Sequence, residues 1–161
     1  VDLRALALEM ETMFSQRCEE SGIAFAIEFE GLAHPLVEGD GLRLQQVFMN
    51  MLGNAVKFTP AGGTVAIAAV REEATGDVLV TVSDNGIGIA PENQERIFER
   101  FFQVDSSATR IYSGSGLGLA LVREYAVAQG YTVTVESVLG EGSAFTVRIP
   151  VAAVVELDED E

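Results

Sequence analysis

The spacing of apolar residues predicts that the chain opens with a helix and continues into a strand. Four apolar residues recur at intervals of three and four positions, as on one helix face: Leu3, Leu6, Met10 and Met13. Asp2 is in position to cap the start of this helix, and Gly22 is in position to end it. Between Ile23 and Glu30 large apolar residues occupy every second position, which is the period of a half-buried strand.

A clearer amphipathic helix is predicted between Leu42 and Phe58, with Asp40 as its N-cap. Its apolar face consists of residues spaced by helical intervals: Leu44, Val47, Phe48, Met51, Leu52 and Ala55. Beyond a glycine-rich turn, Thr64–Arg71 and Val78–Ser83 have the composition of strands. The short polar segment between them indicates an antiparallel hairpin.

The second half of the chain is predicted to contain one further helix and one further hairpin. The helical pattern covers Gly116–Gln129, and strands are predicted at Thr132–Ser137 and Ala144–Ile149. Pro91 favours a short helical turn before them. Three helical segments and about five strands predict an α+β fold. We expect a two-layer sandwich in which one mixed, mainly antiparallel sheet carries about three helices on one face.

Length and charge limit the classes of protein to which the chain can belong. Its 161 residues fit one domain, taken as residues 1–150 with an entry helix at 1–22, followed by an acidic tail at 151–161 that is disordered or a cut linker. With 25 acidic and 10 basic residues, the formal net charge is -15, which argues against nucleic-acid binding and direct membrane contact. No apolar run is long enough to span a bilayer.

The single cysteine and single histidine exclude several kinds of site. Cys18 has no partner for a disulfide or a cysteine metal cluster, so a buried or half-buried structural thiol is expected. His34 alone cannot form a multi-histidine metal site, and no nucleophile motif lies near it. With no secretory leader, a reduced, cytoplasmic setting is the default expectation, and a membrane tether through a missing upstream segment is left open.

Two carboxamides and an ammonium share one face of the second predicted helix. Asn50, Asn54 and Lys57 are separated by four and three positions, which brings them together on the helix surface. An amide oxygen can ligate Mg²⁺, and a lysine can bind a phosphate group. Taken alone, the same stripe is equally typical of a solvated polar face.

Two glycine-rich segments have the composition of ligand-binding loops. In the first, Asp84 ends a strand and is followed by Gly86 and Gly88, so the backbone can approach a planar ligand while the carboxylate accepts from an amine. A turn capped by the aspartate would have the same composition. The second, Gly114–Leu119, opens a helix whose N–H groups suit a phosphate, but it lacks the preceding strand of a Rossmann site and the lysine of a Walker loop.

Four segments, taken in order, resemble the sequence boxes of sensor histidine kinases. In the order N box, G1 box, F box and G2 box, they are Gln45–Pro60, Asp84–Ile89, Phe98–Phe102 and Gly114–Leu119. The resemblance extends from about Asp2 to Pro150. It implies the Bergerat ATP-binding sandwich, which these kinases share with gyrases and heat-shock chaperones.

The resemblance also implies a role for each candidate site residue. Asp84 would bind the adenine amino group, and the Ser143 hydroxyl would support a water bound to the base. Asn54 is the first candidate Mg²⁺ ligand and Asn50 the second. Three apolar side chains would line the adenine ring: Ala55, Ile89 and Leu119. The phosphates of ATP would be bound by Lys57, Arg110, Gly114, Ser115, Gly116, Leu117 and Gly118.

One difference from gyrases and chaperones bears on the chemistry. Those proteins have a water-activating glutamate at the position of Asn50, and an asparagine is a poor general base. The resemblance therefore implies that the γ-phosphoryl group is kept for transfer rather than hydrolysed. His34 does not match the acceptor histidine of the family, which lies in a separate dimerisation helix. Tyr131 stands where the family often has glycine, with no consequence that the sequence reveals.

The expected function is that of the ATP-binding catalytic domain of a two-component histidine kinase. Its partners would be the histidine-bearing dimerisation domain of the same kinase and a response-regulator receiver domain, and the isolated domain would be mainly monomeric. One alternative is a serine kinase of the anti-sigma-factor type, which shares the fold. Another is a degenerate nucleotide-binding module that acts as a conformational switch.

Overall fold

A computed structural model describes residues 1–29, 36–99 and 118–155, which contain three α-helices and five strands. In chain order the helices and strands are α1 (Leu3–Ser21), β1 (Ala24–Glu28), α2 (Gly41–Phe58), β2 (Thr64–Arg71), β3 (Val78–Asp84), α3 (Gly118–Ala128), β4 (Thr132–Val138) and β5 (Gly142–Ile149). Short 3-10 turns lie at Pro91–Asn93 and Val151–Ala153. Among these residues, no helix combines the length and the apolar character needed to cross a membrane.

The five strands form one mixed sheet in the order β1-β2-β3-β5-β4. Only β1 and β2 run parallel, and the other three pairings are antiparallel. Along β2, β3 and β5 every second side chain is buried, and α2 contacts both the sheet and the flanking helices α1 and α3. The buried side chains fill the core between the sheet and the helices. The predicted α+β sandwich is therefore confirmed.

Helix α1 has the predicted caps but a different buried face. The Asp2 carboxylate accepts from the N–H groups of Arg4 and Ala5, and Gly22 ends the helix at a φ of 71°. Met13, predicted for the apolar face, is 46% exposed, and Phe14 is buried in its place. Both residues fit a helical spacing from Met10, but only the spacing of four keeps the side chain over the sheet as the helix continues.

Burial raises the pKa of the Cys18 thiol, which lies on the buried face of α1. The expectation of a buried structural thiol is therefore confirmed.

Residues 153–155, which the sequence assigns to the tail, contact the segment before α2. Val154 is 8% exposed and forms an antiparallel bridge with Val37, and the Glu38 N–H donates to the Ala153 carbonyl over 2.7 Å. On the other side of the same segment, Asp2 bridges Leu36. The first residues of the chain and residues 153–155 are thus joined through one short strand-like segment. Of the predicted acidic tail, residues 156–161 lie outside the described residues.

Tyr131 connects the end of α3 to the segment that precedes α2. Its ring is 2% exposed, and its hydroxyl donates to the Glu38 carbonyl over 2.5 Å. Burial raises the pKa of this hydroxyl, so it is protonated and can donate at neutral pH. Beside it, the Asp40 N–H donates to the Gln129 side-chain carbonyl over 2.7 Å. The tyrosine therefore fixes the position from which α2 begins.

We expect Tyr131→Phe to lower the free energy of unfolding by about 1–2 kcal/mol, because it leaves a carbonyl without its donor at a buried position. Urea unfolding measures this change. Tyr125→Phe is the matched control, since its ring can keep the contact with Arg43 and we expect a change below about 0.5 kcal/mol. Equal effects of the two substitutions would contradict the role given to the Tyr131 hydroxyl.

Candidate functional site

Three polar residues form a row across the sheet at the end of β3. Asp84 pairs with Ser143 of β5, and Ser143 pairs with Ser137 of β4. Residues directly opposite each other in antiparallel strands project to the same face. These three lie in the same alternation as Val82 and Phe145, which are buried in the core, so the row faces the helix side of the sheet.

The Asp84 carboxylate is held by the backbone around it. It accepts from the Gly86 N–H over 2.9 Å and from the backbone N–H of Ser143. Burial raises the pKa of this carboxyl, and the two N–H groups oppose that shift. An ionised carboxylate at this place is poorly hydrated, so a ligand that donates a hydrogen bond to it is favoured.

The glycines after Asp84 are required by the protein itself. A side chain at Gly86 would overlap the carbonyl of Phe58 at the end of α2. A side chain at Gly88, which has a φ of 71°, would overlap the carbonyl of Val138. The close backbone approach predicted for these glycines is therefore made at least to α2 and to the β4–β5 turn. Whether they also approach a ligand stays a prediction.

Two side chains that sequence reasoning missed hold the same loop. The Ile89 N–H donates to the Ser137 hydroxyl over 2.8 Å, and Ile89 itself is buried. The Gln94 amide donates to the carbonyls of both Ile89 and Ser137, each over 2.9 Å. The sequence did carry a signal for Ser137, because it continues the inward positions of β4 after Val133 and Val135.

The polar stripe of α2 approaches the start of α3 at Asn50. Asn50, Asn54 and Lys57 are all half-buried. Gly118 opens α3 so close to Asn50 that an added Cβ would lie 4.0 Å from the Asn50 Cγ. The structure therefore brings Asn50 close to Gly118, and the rest of the predicted phosphate site stays a prediction.

The apolar residues predicted to line the ring differ in burial. Ala55 is 3% exposed and Ile89 is buried, whereas Leu119 is half-buried against the core. Phe98, from the third of the four segments, packs edge-on against the buried Phe145 with ring centres 6.1 Å apart.

Several predicted residues lie outside the described part of the chain. They are Arg110, Gly114, Ser115, Gly116 and Leu117 of the predicted phosphate-binding set. His34 lies outside it as well. For these residues the sequence-based roles stay predictions.

The described residues offer little that could hold a metal ion on their own. No group of three or more histidine, cysteine, aspartate or glutamate side chains is placed to do so within them. The carboxamides of Asn50 and Asn54 fit Mg²⁺ only if a ligand supplies further oxygens, which is how this ion usually binds beside phosphates.

Comparison with protein families identifies the domain. Residues 39–153 match the family described as histidine kinase-, DNA gyrase B- and HSP90-like ATPases. The chain belongs to this family. The sensor histidine kinase RppB of Synechocystis is 42% identical over 116 residues, which cover 72% of this chain and 25% of that protein.

Solved structures place the chain among the histidine kinase members of this ATPase family. Full-length ShkA in complex with AMPPNP superposes with a TM-score of 0.84 at 36% identity, covering 98% of this chain and 31% of that one. The catalytic domain of histidine kinase ThkA gives a TM-score of 0.77 at 29% identity, with 92% and 94% covered. ThkA in complex with the response regulator TrrA gives 0.72 at 27% identity, with 93% and 40% covered.

The resemblance to sensor histidine kinases is thereby confirmed, and the domain is their ATP-binding catalytic domain. The chain spans between 15% and 30% of the length of the first curated relatives that it matches.

We expect Asp84→Asn to raise the thermal midpoint of the nucleotide-free domain near neutral pH. Because the folded-state pKa of Asp84 is raised, the unfolded chain ionises first as the pH rises from about 4, and the wild type loses stability relative to the variant. The gain should therefore fade as the pH falls to about 4. Scanning calorimetry across this range measures it.

Asp77→Asn is the control with the opposite sign. The Arg148 guanidinium, 2.8 Å away, lowers the pKa of Asp77, so the wild type is stabilised above the ordinary carboxyl range. This variant should be less stable near neutral pH, and its deficit should fade only below about pH 4. A destabilised Asp84→Asn at neutral pH would contradict the conclusion that burial dominates at Asp84.

Proposed function

We propose that the domain binds Mg·ATP between the end of β3 and the polar face of α2, and transfers the γ-phosphoryl group to a histidine on a separate dimerisation domain. The observation that carries this proposal is the half-buried Asp84 carboxylate, which can accept a hydrogen bond from a ligand in addition to those from the Gly86 and Ser143 N–H groups. The exocyclic amine of adenine is such a donor. The AMPPNP complex of ShkA supports an adenine nucleotide as the ligand.

Asn54, with Asn50 beside it, would hold Mg²⁺ through its side-chain oxygen. The ion would neutralise charge on the phosphate oxygens during transfer. Lys57 lies in the last turn of α2, where its ammonium also offsets the negative end of the helix dipole. It would attract the phosphates to the same face. Arg110 and the glycine-rich segment 114–118 would complete the phosphate site, as the resemblance implies.

Asn50 bears on the fate of the γ-phosphoryl group. A carboxamide cannot take a proton from water at neutral pH, so hydrolysis would lack its general base. In transfer, the bond between the γ-phosphorus and the β–γ bridging oxygen breaks as a bond to an imidazole nitrogen forms, and ADP leaves. Catalysis would consist of positioning and charge neutralisation. The complex of ThkA with its response regulator supports a receiver domain as the next acceptor.

Nucleotide binding tests the first half of this proposal. Titration calorimetry with AMPPNP should show binding that strengthens when Mg²⁺ is added. Asp84→Ala should weaken it by about a hundredfold, because a charged acceptor of the base is lost. Asn54→Ala should weaken the Mg²⁺ dependence while leaving metal-free binding in place. Gln16→Ala, an exposed carboxamide on α1, is the control and should change neither. Binding indifferent to Asp84→Ala would refute the proposal.

Transfer to a supplied acceptor tests the second half. With γ-labelled ATP, label should appear in an acid-labile linkage on a histidine-bearing helix bundle added in trans, and not on the chain itself. Asn50→Ala, compared with the wild type, should reduce this transfer. Acid-stable label on a serine-bearing partner would instead identify a serine kinase. Label on His34 of the isolated chain would contradict the division between catalytic and acceptor domains.

A further inference from the structure

The Ser137 hydroxyl is engaged in three hydrogen bonds at once. It accepts from the Ile89 N–H over 2.8 Å and donates to the Gly142 carbonyl over 2.8 Å. Its oxygen also lies 2.8 Å from the Ser143 hydroxyl oxygen. Ser143 is 9% exposed and stands beside Asp84 in the row across the sheet.

Counting protons gives this network a direction. A serine hydroxyl has one proton to donate and can accept two hydrogen bonds. The Gly142 carbonyl can only accept, so the proton in that bond belongs to Ser137. The bond between the two hydroxyls must then use the proton of Ser143. With that proton directed at Ser137, Ser143 can offer only oxygen lone pairs to a ligand.

We propose that Ser137 is a specificity-determining positioning residue, which fixes the Ser143 hydroxyl as an acceptor and so selects purines with an amine at position 6. This inference rests on the proposed function. Beside Ser143, the ionised Asp84 carboxylate is also an acceptor. A base with an amine at position 6 donates to such a pair. A base with a carbonyl there places another acceptor against Asp84 and Ser143, so its oxygen finds no donor in this pair, which costs affinity.

Gln94 acts on the same loop without setting the direction of the hydroxyls. Its amide holds the Ile89 and Ser137 carbonyls, and neither contact involves a serine proton. Loss of Gln94 should therefore weaken the binding of every purine nucleotide by a similar factor. The effect of the loop's position on binding can therefore be measured separately from the effect of the direction of the serine hydrogen bonds.

The test compares ADP with IDP, whose phosphates are identical and whose bases differ in bearing an amine or a carbonyl at position 6. Titration calorimetry on one preparation gives the ratio of the two affinities, and any unfolded fraction lowers the stoichiometry for both. Wild type should prefer ADP. Ser137→Ala frees the Ser143 proton to donate to the carbonyl, so we expect the preference to narrow by about tenfold.

Three further variants show through which group Ser137 acts. In a Ser143→Ala background, Ser137→Ala should leave the ratio unchanged, because no hydroxyl remains to be directed. Gln94→Ala should weaken both nucleotides and preserve the ratio. Thr146→Val is the control, because it removes a hydroxyl–hydroxyl hydrogen bond of 3.0 Å to Thr81 that lies on the same sheet but away from the row. It should preserve both affinities and their ratio.

The results of these titrations distinguish a failure of this inference from a failure of the proposed function. A wild type that prefers ADP together with a Ser137→Ala variant of unchanged preference would overturn the inference and leave the proposed function standing. Additive effects of Ser137→Ala and Ser143→Ala on the ratio would overturn it as well. A wild type that binds neither ADP nor IDP would overturn both.

Discussion

The register of three antiparallel strands is the constraint on which the site depends. Because Asp84 pairs with Ser143 and Ser143 with Ser137, all three project to the helix side of the sheet. A slip of one residue would turn this row to the other face, and the core side chains of the same strands, such as Val82 and Phe145, would turn with it. Core burial thus stabilises the sheet and places the Asp84 carboxylate at the same time.

A net charge of -15 is unfavourable for binding a polyanionic ligand, but the charges close to the proposed site matter more than the total. One acidic pair, Glu72 and Asp77, is bound by Arg148 at the start of β3, about 20 Å along the strand from Asp84. At the proposed site, Asp84 would bind the uncharged base, whereas the half-buried Lys57 and the amides of α2 lie on the face proposed for the phosphates. Repulsion between these acidic groups and the phosphates should be weak, since charges farther apart than a Debye length are largely screened.

Local patterns predicted most of the fold, and long-range contacts account for what they missed. Helix α2 has a clear helical period of apolar residues and an N-cap, and strand β2 has a strand-like composition between turns. The bounds of both elements were therefore predicted within one residue. Met13 was misplaced because spacings of three and four fit equally well in so short a stripe. Val154 and Tyr131 depend on partners more than 90 residues away, Val37 and Glu38, which no local pattern reveals. The role proposed for Ser137 could not be predicted without the pairing of β4 with β5, which places it opposite Ser143.

The two ends of the proposed site lie on different parts of the fold. Recognition of the base and transfer of the phosphoryl group would therefore depend on different elements. The base end is built from hydrogen bonds between β3, β4 and β5, whose strands pair along their whole length. The proposed phosphate end would be built on α2 and the first turn of α3, which carry no residue of the row, although Ala55 and Leu119 on these helices are predicted to line the base. A substitution at Ser137 should therefore change which base is accepted without moving Asn50, whereas a substitution at Asn50 should act on the bound Mg²⁺ and the γ-phosphoryl group. If the proposed site is correct, selectivity for the base and retention of the phosphoryl group should respond to different substitutions.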